Sequence, residues 1–172
     1  MKLLITKKFD DEKMKMIEDL GYEIVFMEDR KLQNTPEVNS VDVAYVYYYT
    51  SRLDYSQMKN LKFLQLASVG FDHIPKEVFV ENNIYLSNNN GGYSVPIAEF
   101  AVMNVLNIYK NSKKFFKNQE ESLWKVDMSL LELVGKRAGI LGTGGIGMET
   151  AKRLKAFGVE VWGAVSYTHL RA

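Results

Sequence analysis

The chain has 172 residues, and 22 lysines and arginines against 21 aspartates and glutamates leave a formal net charge of +1, so no single-sign field draws it toward nucleic acid or an anionic membrane. Hydrophobic residues at 47% and charged residues at 25% describe a globular protein and exclude disordered and fibrous classes. The absence of cysteine excludes disulfide frameworks and thiolate chemistry, and two histidines argue against a histidine metal cluster, so no metal is expected. No apolar run approaches the roughly 18 residues of a membrane span, and the N-terminus becomes charged at Lys7 and Lys8, too soon for a signal peptide. A cytoplasmic protein is expected, with a small molecule as its partner and neither nucleic acid nor membrane. By length alone it reads as one domain.

Lys2 to Thr6 is predicted as a buried strand, after which Met14, Ile17 and Leu20 recur at helical spacing and Gly21 closes the helix. Further strands are predicted at Tyr22 to Met27, Val41 to Tyr49, Leu61 to Ala67 and Ile84 to Ser87. Strands joined by helices imply parallel pairing and an α/β architecture. Ile97 to Tyr109 carries one charge, Glu99, and is apolar on nearly every side, which predicts a helix buried almost all round. Pro96 suits its first turn, and Glu99 complements its positive end. Lys110 to Lys117 is basic and reads as a solvated helix end in preference to an anion site. A domain junction is expected here, with a polar connection running to about Leu130.

Gly142-Thr143-Gly144-Gly145-Ile146-Gly147 matches the spacing G-x-G-x-x-G, preceded by a short strand at Arg137 to Leu141. A helix follows with Ile146, Ala151, Leu154 and Phe157 along one face, Gly158 ends it, and Val159 to Val165 begins a new strand. In such a βαβ unit the first glycine allows the tight turn, the second lets the backbone approach a pyrophosphate, and the third lets helix and strand pack closely. The helix start would receive the phosphates. A dinucleotide is therefore expected at Gly142, Thr143, Gly144, Gly145, Ile146 and Gly147. No Lys-Ser or Lys-Thr follows, which excludes a nucleotide-hydrolase phosphate loop. Glu160 has about the right spacing for a ribose ligand but lies at the start of its strand, about 16 Å from the carboxyl end where the ribose sits. Val165 and Ser166 leave the choice between NAD and NADP open.

Four stretches together resemble the D-isomer-specific 2-hydroxyacid dehydrogenases, the family of D-lactate, glycerate and 3-phosphoglycerate dehydrogenases. These are Leu61 to Ile74, then Asn88 to Gly91 continuing to Ile97-Ala98-Glu99, then Trp124, then Leu133-Val134-Gly135-Lys136 running into the glycine motif and on to Gly158. The resemblance implies a flavodoxin-like parallel-sheet substrate domain over 1–95, then a hinge helix and the first βαβ unit of a Rossmann NAD(P)-binding domain over 96–165. It implies an NAD- or NADP-dependent oxidoreductase that interconverts a 2-oxo acid and a 2-hydroxy acid, homodimeric when full-length. Backbone N–H groups of Ser68, Val69 and Gly70 would bind the substrate carboxylate, and a glycine-containing loop after a parallel strand suits an anion. Tyr93, in the crossover loop with Gly91 and Gly92, either contacts substrate or plugs the hinge. Tyr45, Tyr47, Tyr48 and Tyr49 fit half-buried sheet positions better than substrate contacts, and His73 fits a surface or capping role.

The family uses an Arg for the carboxylate and carbonyl, a His as acid/base and a Glu that tunes the His, all from later strand-end loops of the cofactor domain. Only one predicted strand follows Gly147, so this trio is expected to lie outside the chain, which then reads as an inactive N-terminal fragment with no catalytic residues of its own. Ser166 to Ala172 resembles nothing in the family and is expected to be a non-native tail, with no role for His169. A non-catalytic NAD(H)-binding sensor, like the corepressors built on this scaffold, is the alternative. A Rossmann dehydrogenase acting on an amino acid or homocysteine derivative is disfavoured by the match over Ser68 to Ile74.

Overall fold

A computed structural model describes residues 1–164. The predicted strand end at Val165 and the tail 166–172 lie outside the described residues. The chain divides into two compact units, Met1–Asn90 and a second that begins at Gly91.

The first unit is a five-stranded parallel sheet. Its elements are β1 (Lys2–Ile5), α1 (Asp11–Asp19), β2 (Glu23–Phe26), α2 (Pro36–Asn39), β3 (Val43–Val46), β4 (Phe63–Leu66), α3 (Lys76–Glu81) and β5 (Tyr85–Ser87). The strand order β2-β1-β3-β4-β5 is the flavodoxin-like one. Registers Leu4↔Val25, Leu4↔Ala44, Ala44↔Leu64 and Val46↔Leu66 lay apolar side chains in two rows on one face, all buried in the main core. Asp10 caps α1, its side chain accepting from the Lys13 N–H, and Thr35 caps α2 by accepting from Val38 with Pro36 in the first turn. Gly21, at φ +82°, turns the chain after α1 as expected.

The third strand is half as long as Val41 to Tyr49 suggests. Past Val46 the chain leaves the sheet, because the N–H of Tyr47 donates to Thr6 Oγ1 at 2.8 Å and that of Tyr48 to Asp29 Oδ1 at 3.1 Å. Side chains have taken the place of a neighbouring strand as acceptors, and a short 3-10 turn, Thr50–Arg52, follows.

The second unit contains α4 (Ser94–Tyr109), α5 (Ser112–Glu120), β6 (Arg137–Leu141), α6 (Gly145–Ala156) and β7 (Glu160–Ala164). β6 and β7 pair in parallel from Arg137↔Glu160 to Leu141↔Ala164. Val102 of α4 joins Leu133, Leu154 and Val159 in a small core, with Val105, Leu106 and Tyr109 against it. α4 is not buried all round: only Ala98 and Val102 are buried, while Phe100 is 64% and Ile108 77% exposed, since one stripe faces α6 and the opposite side meets nothing in this unit. The helix starts at Ser94, two residues before Pro96, which places Glu99 beyond the first turn. Glu99 therefore serves no cap; it accepts from Arg153 Nη2 of α6 at 3.0 Å, and Arg153 also holds Glu149. Among the described residues no helix is long and apolar enough to cross a membrane.

The basic run forms α5 itself, after Asn111 at φ +51°. Asp127, its side chain 6% exposed, pins the following segment to this helix. Its carboxylate accepts from Lys114 Nζ at 2.7 Å, Asn111 Nδ2 at 3.2 Å, and Ser129 N and Oγ at 2.9 and 2.6 Å. The Lys114 bond first and Ser129 next hold the carboxyl well below the usual carboxylate range. A depressed folded pKa gives stability that is complete above the unfolded value, about 3.9, and is lost as the pH falls toward the folded one. Asp127→Asn should thus lower the urea midpoint at pH 7, with the gap to the parent chain shrinking at pH 2; an equal gap at both would contradict this role.

Candidate functional site

In the second unit, β6 runs into a turn at Gly142, whose φ of +97° strains any residue with a Cβ. The Gly142 N–H donates to Ala164 O at 2.8 Å and ties the turn to the carboxyl end of β7. Gly147 is buried; a Cβ there would run into the Gly142 carbonyl and stand 3.2 Å from Ile140 Cγ2, so helix and strand touch only because the side chain is missing. Gly144 is the N-cap of α6 and brings no capping side chain, while a Cβ built on it meets open space. The first intrahelical bond, Met148 N to Gly144 O, leaves the N–H groups of Gly145, Ile146 and Gly147 at the helix mouth. These groups and the helix dipole favour an anion there.

Two further residues shape this loop. A Cβ on Gly145 would lie 2.6 Å from Ser94 Oγ, and one on Gly163 of β7 would lie 2.6 Å from Thr143 Cγ2. Neither Ser94 nor Gly163 stands out in the sequence, although a glycine inside a strand already signals a close approach. Thr143 is short and β-branched, so its Cγ2 is stiff at χ1 and does not yield freely. Gly163→Ala is therefore expected to weaken binding at the loop by about 1 kcal/mol, a factor of about five. Thr143→Ser in the same chain should restore it, and equal losses in the single and double variants would contradict this reading. Glu160 opens β7 opposite Arg137, at the far end of the ladder from the loop, and accepts from Trp162 Nε1 at 3.1 Å. That position agrees with its exclusion as a ribose ligand.

In the first unit, Ser68, Val69 and Gly70 follow β4. The carbonyls of this loop are all engaged: Ala67 O accepts from Asn89 Nδ2 at 3.3 Å, Ser68 O from Asn89 N at 2.9 Å, Val69 O from Asn88 Nδ2 at 2.7 Å, and Gly70 O from Ser68 Oγ at 3.0 Å. Among the described residues the N–H groups of Val69 and Gly70 have no acceptor. Adjacent N–H groups without protein acceptors are open to an anion. Gly70 has no positive φ, and a Cβ there would meet open space, so backbone strain is not what its lack of a side chain relieves. Asn88 and Asn89 build the loop from behind, and a run of three asparagines after a strand gives no hint which carbonyl each will hold.

Beside this loop, past β1 and β3, Asp29 is 8% exposed and its Oδ1 accepts from Thr6 Oγ1 at 2.9 Å and from the N–H groups of Tyr48 and Tyr49 at 3.1 and 3.5 Å. Tyr45 is half-buried in β3 as expected, whereas Tyr47 and Tyr48 are exposed beyond its end. His73 is exposed in the loop before α3. Tyr93 belongs to the second unit, where it stands at the N-cap of α4.

Residues 102–171 match the family model described as the NAD binding domain of the D-isomer specific 2-hydroxyacid dehydrogenases. The D-3-phosphoglycerate dehydrogenase of Methanocaldococcus jannaschii is 28% identical over 170 residues, covering 97% of this chain and 32% of that protein. The glyoxylate reductase of Thermococcus litoralis is 31% identical over 175 residues, covering 93% of this chain and 52% of that one. The family model and these relatives together make the chain similar, along nearly its whole length, to the D-isomer-specific 2-hydroxyacid dehydrogenase family. The chain spans about a third of the first of these relatives and about half of the second. The fold agrees: the TT0316 protein of Thermus thermophilus superposes with a TM-score of 0.78 at 22% identity, over 98% of this chain and 57% of that one.

The cofactor of a dehydrogenase in this family is NAD(P), and the glycine loop fits it. Gly144 leaves empty the volume a Cβ would fill at the mouth of an uncapped helix, which is the cradle a pyrophosphate requires. Gly142 and Gly147 close the turn and the helix–strand contact that hold this cradle in place.

Proposed function

We propose that this chain supplies the pyrophosphate-binding and carboxylate-binding parts of an NAD(P)-dependent oxidoreductase that interconverts a 2-oxo acid and a 2-hydroxy acid. The observation that carries the reading is a pair of backbone anion sites of matching chemistry: the N–H groups opening α6 behind Gly144, and the unpartnered N–H groups of Val69 and Gly70. In this reading residues 1–95 are the substrate domain, and 96–165 the hinge helix and the start of the cofactor domain. NAD(P), when bound, supplies a hydride acceptor or donor at C4 of the nicotinamide. Gly142, Thr143, Gly144, Gly145, Ile146 and Gly147 hold its pyrophosphate; Ser68, Val69 and Gly70 orient the substrate carboxylate, and Tyr93 lines the substrate's position. In the complete, cytoplasmic protein two copies meet along α4, a reading supported by its exposed Phe100, Met103 and Ile108.

A hydride transfer to a 2-oxo acid also needs a proton donor and a cation on the carbonyl. The family draws these from an Arg, a Glu and a His in later loops, so the 172-residue chain is expected to bind NADH without turning it over. Fluorescence titration with NADH should saturate, and mixing with pyruvate or glyoxylate should leave the absorbance at 340 nm unchanged. Absence of saturable NADH binding would overturn the cofactor reading, and steady oxidation of NADH would overturn the expectation of inactivity.

A further inference from the structure

We propose that Asn90 is a site of spontaneous deamidation, at which the side-chain amide is lost and an aspartyl or isoaspartyl link to Gly91 takes its place. The chain contains a single Asn-Gly pair, Asn90-Gly91. Glycine matters at the second position because the following backbone nitrogen must reach the asparagine Cγ, and a side chain on that residue would restrict its approach. The pair is exposed in a turn after β5, and its peptide bond is where the first unit ends and the second begins.

Both reacting groups are free. Among the described residues neither the Asn90 side chain nor the Gly91 N–H has a hydrogen-bond partner. Gly91 has φ +89°, and a Cβ built on it would meet open space, so no other part of the protein crowds that side of the turn. The other candidate asparagines are engaged. Asn88 Nδ2 donates to Val69 O and Asn89 Nδ2 to Ala67 O, and each precedes another asparagine. Asn39 and Asn111 precede serine; Asn39 Oδ1 accepts from Asn34 at 2.6 Å, and Asn111 Nδ2 donates to Asp127 at 3.2 Å.

In the reaction the Gly91 nitrogen attacks Asn90 Cγ and gives up its proton. The new N–Cγ bond displaces Nδ2, which leaves as ammonia with that proton, and a five-membered succinimide remains. Water then adds to one of the two ring carbonyls. Opening at Cγ leaves an aspartyl residue, and opening at the main-chain carbonyl leaves an isoaspartyl link with an extra methylene in the backbone. Either product carries a negative charge at neutral pH. Asn89, the preceding residue, donates its N–H to Ser68 O and so holds the loop in which the Val69 and Gly70 N–H groups are open. A carboxylate one residue away opposes an anion there. This last consequence rests on the oxo-acid reading of the chain; the deamidation does not.

The test is a time course at mildly alkaline pH of the 172-residue chain, beside a free peptide of residues 85–96. Peptide mass mapping locates each conversion of amide to acid, and methyl transfer by an isoaspartyl methyltransferase counts the isoaspartyl product. Position 90 should convert before every other asparagine, at a rate within about tenfold of that in the peptide. Asn90→Gln, whose ring would be six-membered, should lower the conversion at least about tenfold. Conversion spread over Asn88, Asn89 and Asn90, an equal rate in Asn90→Gln, or a slower rate in the folded chain than stated would overturn the site. The modified chain, separated by anion exchange, should bind pyruvate about twofold more weakly than the parent at low salt, read from the amides of Val69 and Gly70. Equal affinities would overturn the effect on the loop. No shift of those amides in the parent would overturn the oxo-acid reading and leave the modification standing.

Discussion

Gly144→Val is expected to abolish saturable NADH binding by the 172-residue chain while leaving its circular dichroism and urea midpoint close to those of the parent. Gly144 has φ −72° and ψ −170°, extended backbone that valine adopts, and a Cβ built there touches no protein atom. The fold does not need this glycine; only a ligand pressed against the backbone does. Gly147→Val is the complementary case. Its Cβ would collide with the Gly142 carbonyl and with Ile140, and backbone packed into a strand-to-helix turn cannot move aside cheaply. Overpacking of this kind costs roughly 2–3 kcal/mol, so this variant should lose cooperative unfolding of the second unit together with NADH binding. An unchanged NADH titration in Gly144→Val would remove the glycine loop as the cofactor site, and equal destabilisation in both variants would show the motif to be structural.

Asp29→Ala should destabilise the first unit by about 3 kcal/mol and release the Tyr47 to Tyr49 segment. One buried carboxylate oxygen serves the Thr6 hydroxyl and two backbone N–H groups, and the same Thr6 oxygen accepts the Tyr47 N–H. Hydrogen bonds to a charged acceptor contribute roughly 1.5–3 kcal/mol each, and they are not additive within one network. Asp29→Asn keeps an oxygen acceptor in the same place and should lose less than half as much. Urea unfolding reads the stability, and amide exchange at Tyr47, Tyr48 and Tyr49 reads the release. Fast exchange at those amides in the parent chain, or none gained in Asp29→Ala, would show that Asp29 does not hold the loop.

Much of the fold and of the glycine loop is legible in the amino-acid sequence, because it depends on local rules. The alternation of short β-rich runs with helical spacing marks the parallel sheet, and strand β6 is found at Arg137–Leu141 as predicted. The glycines at 142, 144 and 147 can be read individually, since each answers to the backbone within a few residues of itself. Errors fall where a distant partner decides. Val41 to Tyr49 has the composition of one long strand, but Thr6 and Asp29, from two other strand ends, capture the N–H groups of its second half. Asp29 lies in the charged run from Glu28 to Lys31, and nothing in that run marks which of the four is buried. Ile97 to Tyr109 is apolar all round, yet hydrophobicity says only that a face needs cover and not which neighbour provides it.

The amino-acid sequence by itself determined the fold class, the family resemblance and the place of the glycine loop, because periodicity and glycine spacing act over one or two turns of chain. Only the tertiary structure decided which groups complete the sites: Asn88 and Asn89 turning the carbonyls of the β4 loop away from its N–H groups, Asp29 tying down the tyrosines, and Gly163 making room for Thr143. The hydrogen bonds that complete these sites join residues 19 to 41 positions apart. Their energies depend on distances and burial that no local pattern encodes, and for that reason the kind of cofactor follows from the sequence while the shape and charge of the substrate's surroundings do not.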